Sequence, residues 1–174
     1  SNCVYCQYGW TLPTRLTEPI KRAAELLTAI EAAFRDIVQQ GIPVDCITLA
    51  GNGEPTLHPD LEELIVGIKE LRDQSFPSAN VGMLSDATQA HRPDVQRALR
   101  LLDTRYMKLD GGTEAMWRTI TQPLGHSDWQ TMIGALRQLP DIVLQSMFVQ
   151  GAYDNTQSDH VDAWIELVGT IHPI

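Results

Sequence analysis

The chain alternates between stretches in which apolar residues recur every three or four positions and short stretches in which they follow one another almost continuously. The first pattern is typical of amphipathic helices, and the second of strands that are covered on both faces. We predict a helix from the cap residue Thr17 to Val38, with Gly41 after its end, and a strand over 44–50. Further helices are predicted to start at or near Pro59, Pro93, Thr113, Ser127 and Ser158, and further strands cover 81–85, 106–109 and 142–149.

This regular alternation predicts an α/β domain with a parallel sheet, either open and doubly wound or curled towards a barrel. Polar residues fall at the carboxyl ends of the predicted strands, the edge where α/β proteins form their ligand sites. We therefore expect one cleft to gather them. They are Gly51 to Glu54, Ser85 with Asp86, Lys108 with Asp110, and Gln145 or Gln150.

The loop after the first predicted strand reads Gly51-Asn52-Gly53-Glu54-Pro55. Two glycines let backbone groups approach a ligand closely, and a carboxylate can accept a hydrogen bond from an ammonium group. The alternative is an ordinary turn from strand to helix. A glutamate before a proline at the strand tip favours the ligand-binding interpretation.

Composition and net charge limit the classes of protein to which this chain could belong. With 174 residues and 43% hydrophobic content, the chain can form one domain over 1–174 with a sizeable core. The net charge of -9 opposes broad binding to nucleic acid or anionic membranes. No apolar run approaches the roughly 20 residues of a membrane span, and the N-terminus has no signal-peptide pattern, so we expect a cytoplasmic protein without membrane contact.

Two of the three cysteines, Cys3 and Cys6, form a C-x2-C pair around Tyr5. Two thiolates at this spacing can bind one soft metal or cluster, or can form a redox couple, and a total of three cysteines fits a reducing compartment. We expect Cys46, inside an apolar run, to be a buried core thiol. Lys108 could be a Schiff-base nucleophile, but an ion pair with Asp110 or a polar contact with a ligand is the simpler interpretation.

The Ser-Asn-Cys-Val-Tyr-Cys start, followed by Gly-Asn-Gly-Glu-Pro-Thr-Leu after the strand over 44–50, resembles the radical SAM superfamily. The signature of that superfamily is C-x3-C-x2-C with an aromatic residue before the last cysteine. Cys3, Tyr5 and Cys6 match its later positions, and the first cysteine would lie two positions ahead of Ser1. The stretches 51–60 and 108–112 are most similar to the iron–sulfur oxidoreductase branch that includes the tRNA wybutosine-synthesis enzymes.

The resemblance implies a partial parallel (β/α)6 barrel that is incomplete at both ends: the first strand is missing, and the last unit could be. It further implies that Cys3 and Cys6 bind a 4Fe-4S cluster, and that S-adenosylmethionine binds beside it. In that case Tyr5 flanks the adenine, and Gly53 with Glu54 receives the methionine ammonium. Gly51 and Asn52 of the same loop are also expected to bind the cofactor. Ser85, Lys108, Asp110 and Gln145 are implied as further cofactor contacts.

The activity implied is reductive cleavage of S-adenosylmethionine to start radical chemistry, with an electron donor such as flavodoxin or ferredoxin. The substrate is open between a small molecule, a peptide and an RNA base, although the acidic charge disfavours RNA. Two alternatives are a dithiol oxidoreductase that uses the C-x2-C pair alone, and a non-catalytic member of the same fold. The dithiol interpretation gives Glu54 no role.

Overall fold

The computed structural model describes residues 1–9, 19–51 and 53–174. The predicted cap Thr17, the aromatic Trp10 and the predicted site residue Asn52 therefore lie outside the described residues. The helices are α1 (Ala23–Gln39), α2 (Leu61–Ser75), α3 (Pro93–Arg100), α4 (Glu114–Thr121), α5 (Trp129–Gln138) and α6 (Ser158–Ile171). The strands are β1 (Cys46–Leu49), β2 (Asn80–Ser85), β3 (Thr104–Lys108) and β4 (Ile142–Gln145). None of these described helices is both long enough and apolar enough to cross a membrane.

The four strands form one parallel sheet in the order β1-β2-β3-β4, which confirms the predicted α/β architecture. Each neighbouring pair is connected through intervening helical segments, so all four carboxyl ends lie on the same edge. The register places Leu49 beside Met83, Ser85 beside Met107, and Lys108 beside Gln145. Closure of this sheet towards a (β/α)6 barrel stays a prediction.

The main core lies where helices cover the sheet. Ile65 and Ile68 of α2, Leu99 of α3, and Ile133 and Leu136 of α5 are almost completely buried. They meet the inward side chains of the strands, which are Val81, Met83, Met107 and Ile142. Burial of side chains of this size contributes about 1.5–3 kcal/mol each, so this layer supplies much of the stability of the sheet.

The prediction that Cys46 is a buried core thiol is wrong, because its side chain is exposed. Side chains of β1 alternate between its two faces: Cys46 and Thr48 are exposed, whereas Ile47 and Leu49 are half-buried against the core. The prediction of a strand covered on both faces is therefore wrong. β1 is also an edge strand of the described sheet and pairs with β2 alone. A continuous apolar run does not by itself show whether one face or both are covered.

Helix starts follow local hydrogen bonding. Thr113 caps α4 as predicted, because its side chain accepts a hydrogen bond from the amide of Met116. The cap of α5 lies one residue after the predicted cap position, Ser127. Asp128 is the cap of α5 and accepts from the amide of Thr131 at 2.7 Å. A carboxylate is an acceptor at least as good as a hydroxyl at this position.

α6 packs directly against the loop that follows β3. A Cβ atom added to Gly112 would lie 2.2 Å from the carbonyl carbon of Ala163 and from the backbone nitrogen of Trp164. The indole N–H of Trp164 donates to the carbonyl oxygen of Leu109 at 3.0 Å. Glycine at 112 is therefore required by the close approach of two backbones, and this contact fixes the carboxyl end of β3.

Candidate functional site

A cavity of about 980 Å³ opens at the carboxyl ends of the strands. The expectation that one cleft gathers the polar strand ends is confirmed. Of the two glutamines considered, Gln145 faces the cavity, whereas Gln150 is exposed outside its lining. The predicted site residues that line the cavity are Cys3, Tyr5, Cys6, Gly51, Gly53, Glu54, Ser85, Lys108, Asp110 and Gln145.

The cysteine loop, residues 1–9, is a compact turn held against α4. The amide of Cys6 donates to the carbonyl oxygen of Cys3 at 2.9 Å, which closes the C-x2-C turn. The amides of Asn2 and Val4 donate to the carbonyl oxygens of Gln122 and Ile120 at 2.9 and 3.0 Å. Cys3 is buried and Cys6 is half-buried. The loop therefore presents two sulfurs at the cavity from a backbone that is anchored elsewhere.

Lys108 connects the cysteine loop to β3. Its ammonium nitrogen lies 2.6 Å from Cys3 Sγ, 2.9 Å from Asp110 Oδ2 and 4.7 Å from the centre of the Tyr5 ring. Burial alone would lower the pKa of Lys108, but the Asp110 carboxylate and the contacts with Cys3 and Tyr5 raise it above its ordinary value. A lysine held cationic in this way is a poor Schiff-base nucleophile, and the ion pair with Asp110 is the interpretation that is confirmed.

Glu54 lies at the tip of β1 with both carboxylate oxygens engaged. Oε1 accepts from the amide and hydroxyl of Thr56 at 3.1 and 2.5 Å and from the Ser85 hydroxyl at 2.7 Å. Oε2 accepts from the amide of Asp86 at 2.6 Å. Burial, and then the negative charge of Asp86, raise the pKa of Glu54 from 4.5 to about 7, although these hydrogen bonds oppose the rise.

The packing of the described residues does not explain the two glycines before Glu54. Among those residues, a Cβ atom added to Gly51 or Gly53 would meet nothing within 4 Å. Both glycines line the cavity. Since no close contact with the described part of the chain requires glycine here, a ligand could approach the backbone at this loop. This observation favours the ligand-binding interpretation of the loop over an ordinary turn.

Asp110 is the most enclosed charged group of the site, with a fully buried side chain. Its Oδ2 accepts from the Tyr5 hydroxyl at 2.7 Å and from the Thr121 hydroxyl at 3.2 Å, in addition to the Lys108 contact. Its Oδ1 accepts from the amide of Met147 at 2.9 Å. Burial and the nearby Asp110 carboxylate raise the pKa of Tyr5 above its ordinary value, so the phenol stays a hydrogen-bond donor.

Sequence reasoning missed the residues that hold the loop after β4. Asn155 is buried; its amide nitrogen donates to the carbonyl oxygens of Asp110 and Met147, and its oxygen accepts from the amide of Val149. This places Met147 on the cavity wall. A single asparagine in an irregular stretch carries no periodic signal, so only the folded chain reveals its role.

The candidate metal ligands of the site are the sulfurs of Cys3 and Cys6. The residues that the structure describes contain no group of three or more Cys, His, Asp or Glu side chains arranged to hold a metal ion. The third cysteine of the sequence, Cys46, is exposed at the start of β1 and does not line the cavity. The chain therefore brings two thiols to the cavity.

Comparison with known proteins gives distant relatives of the whole chain. No protein-family model matches it. A UPF0026 protein of Helicobacter pylori is 27% identical over 161 residues, which cover 90% of this chain and 50% of that protein. A UPF0026 protein of Synechocystis is 28% identical over 179 residues, which cover 99% of this chain and 62% of that protein. The chain thus spans about half the length of these relatives.

A protein named GTPase Obg from Brachyspira hyodysenteriae is 25% identical over 177 residues, which cover 99% of this chain but 25% of that protein. The present sequence contains no Gly-x4-Gly-Lys-Ser/Thr segment, the motif that cradles nucleotide phosphates in many GTPases. The similarity to this relative therefore does not include a phosphate-binding loop of that kind.

Proposed function

We propose that this chain carries the cofactor-binding part of a radical SAM enzyme. The observation that supports the proposal is the meeting of two sequence-distant features at one cavity. The Cys3–Cys6 turn lies on one wall, and the glycine-framed Glu54 lies on another. A cavity of about 980 Å³ is within the range that accommodates a cofactor-sized ligand.

The donor set fits a 4Fe-4S cluster at two of its ligand positions. Cys3 and Cys6 would supply thiolates from a closed turn, and the Lys108 ammonium lies 2.6 Å from the Cys3 sulfur. A third thiolate would have to come from outside these 174 residues, because Cys46 does not line the cavity. When bound, the cluster with S-adenosylmethionine would supply one-electron reduction of a sulfonium and a carbon radical able to abstract hydrogen.

The remaining residues of the cavity fit the recognition of a charged, extended cofactor. Glu54 is fixed by donors from Thr56, Ser85 and Asp86, so it is preorganised to accept a hydrogen bond from a ligand ammonium group. The open space at Gly51 and Gly53 lets such a ligand lie against the backbone. Binding of an ammonium group favours the ionised form of Glu54 and would lower its raised pKa.

Anaerobic reconstitution with iron and sulfide tests the cluster. We expect a brown protein with broad absorption near ~400 nm, and strong loss of this absorption and of bound iron in Cys3→Ala and Cys6→Ala. Cys46→Ala is the matched control and should retain both. The measurement should use this chain and the longest natural protein that contains it. Equal absorption in the wild type, Cys3→Ala and Cys6→Ala would refute the cluster assignment.

Cofactor cleavage is tested separately. After chemical reduction, the reconstituted protein should convert S-adenosylmethionine to 5′-deoxyadenosine, which liquid chromatography with mass spectrometry measures. Glu54→Gln should weaken cofactor binding while leaving the absorption of the cluster unchanged, because Glu54 does not contact the sulfurs in the described contacts. Cluster formation without any cleavage or binding of the cofactor would oppose the proposal.

A dithiol oxidoreductase is the second candidate, favoured by the closed turn that brings Cys3 and Cys6 to the same cavity. It predicts a colourless protein in which Cys3 and Cys6 form and release a disulfide. Mass spectrometry after oxidation and reduction would detect the change of two hydrogens. This candidate gives no role to Glu54 or to the glycines beside it.

A further inference from the structure

The carboxylate of Asp110 joins four separate parts of the fold. Its hydrogen-bond donors come from the cysteine loop (Tyr5), from β3 (Lys108), from the end of α4 (Thr121) and from the segment after β4 (Met147). All four donor–acceptor distances lie between 2.7 and 3.2 Å. The side chain is fully buried, so water does not compete with these contacts.

Asp110 differs from Glu54 in its charge partner and its burial. Both carboxylates accept hydrogen bonds from four donors of the chain, but Asp110 is also paired with the Lys108 ammonium, and its side chain has no exposed surface. A buried carboxylate is tolerated only when a charge partner and hydrogen bonds compensate it, and Lys108 provides that charge. These contacts favour a role in which Asp110 acts through neighbouring residues over the direct cofactor contact that the sequence predicted.

We propose that Asp110 is a positioning residue that holds Tyr5 and Lys108 around Cys3 and so sets the position of the cysteine side chains in the cavity. Tyr5 lies within the C-x2-C turn, and Lys108 contacts Asp110 and Cys3 simultaneously. The use of this arrangement for a cluster rests on the proposed function. The arrangement itself belongs to the protein without any cofactor.

The backbone of the cysteine loop has its own anchors, which makes the effect of Asp110 separable from general unfolding. The amides of Asn2 and Val4 are bonded to α4 without the participation of Asp110. Without the Asp110 carboxylate, the Tyr5 and Lys108 side chains should lose their fixed positions. The reason is that Lys108 then has no neighbouring negative charge to compensate for its burial. The Cys3 side chain should become accessible while the amides of Asn2 and Val4 stay protected.

Alkylation of the cluster-free, reduced chain with iodoacetamide tests the proposal. Cys46 is exposed and lies on β1, so it serves as an internal reference thiol. In Asp110→Asn we expect the rate ratio of Cys3 to Cys46 to rise about tenfold, in keeping with the loss of a charge-assisted hydrogen bond. Tyr5→Phe should raise the ratio less. The double variant should add little to Asp110→Asn, because both changes act through one network.

A destabilised core variant, Leu99→Ala, separates positioning from global loss of stability, since Leu99 is fully buried and has no described contact with the site. It should lower stability without selectively raising the ratio under native conditions. Hydrogen exchange should show that the amides of Asn2 and Val4 stay protected in Asp110→Asn. An unchanged ratio in Asp110→Asn, or one no larger than in Leu99→Ala, overturns the proposal. If Asp110→Asn does not fold, an unchanged ratio in Tyr5→Phe overturns it instead. If the ratio rises in a protein that never binds a cluster, the positioning role is supported and only the proposed function is refuted.

Discussion

The raised pKa of Glu54 predicts how the stability of the protein depends on pH. The pKa is about 7 in the folded state and 4.5 in the reference state, so the folded protein holds this proton more tightly. Below pH 4.5 both states are protonated and Glu54 imposes no penalty. Stability is lost as the pH rises through the window between 4.5 and about 7. The full difference corresponds to about 3 kcal/mol, of which about 2.5 kcal/mol falls between pH 5 and pH 8.

Glu54→Gln removes this titration. The difference in free energy of unfolding between Glu54→Gln and the wild type should therefore shift by about 2.5 kcal/mol in favour of the variant from pH 5 to pH 8. Chemical denaturation at several pH values measures it, and the difference, rather than either curve alone, removes the contributions of other groups. Glu166→Gln, at an exposed position of α6 outside the cavity lining, is the matched control and tests whether loss of any carboxylate produces the same shift.

Asp86→Asn tests the cause of the shift. Burial is the larger cause of the raised Glu54 pKa, and the charge of Asp86 is the next. Asp86→Asn should therefore lower the pKa of Glu54 only part of the way to its ordinary value, so stability changes over a narrower range of pH.

If the difference between Glu54→Gln and the wild type is independent of pH, then Glu54 is not held at a raised pKa. The reasoning from its burial would then be refuted.

Further predictions concern the backbone and the buried polar groups. Gly112→Ala should destabilise the protein by about 3 kcal/mol or more in denaturant unfolding, because the added Cβ meets the backbone of α6, whereas Gly134→Ala, which meets nothing, should be neutral or slightly stabilising. Gly53→Ala should change stability by less than about 1 kcal/mol yet weaken S-adenosylmethionine binding in calorimetry, and equal binding would argue against ligand approach at this loop. Thr113→Ala should lower the melting temperature through the loss of about 1 kcal/mol of capping. Arg105→Met should cost about 3 kcal/mol in denaturant unfolding, since it removes the side-chain donor to the buried Leu102 carbonyl and one of the two donors to the Leu99 carbonyl, and an effect below 1 kcal/mol would contradict this.

The pattern of the sequence predicted the order of helices and strands well. Local signals such as Pro93 at the start of α3 and Thr113 before α4 act within a few residues, so they are readable from the chain alone. The strand over 142–149 was predicted too long, because the apolar run continues beyond Gln145 into the segment held by Asn155. Strand length depends on which backbone groups find a neighbouring strand.

The sequence by itself determined that polar residues follow the carboxyl ends of parallel strands, and therefore that Glu54, Ser85, Lys108 and the cysteine loop could meet. This follows from chain direction, since all parallel strands end at one edge. Only the tertiary structure decided that Cys46 is exposed on an edge strand. It also decided that the buried Asp110 carboxylate accepts hydrogen bonds from four distant segments. Burial and hydrogen-bond partners depend on which segments pack together, and long-range contacts of this kind leave no periodic trace in a single sequence.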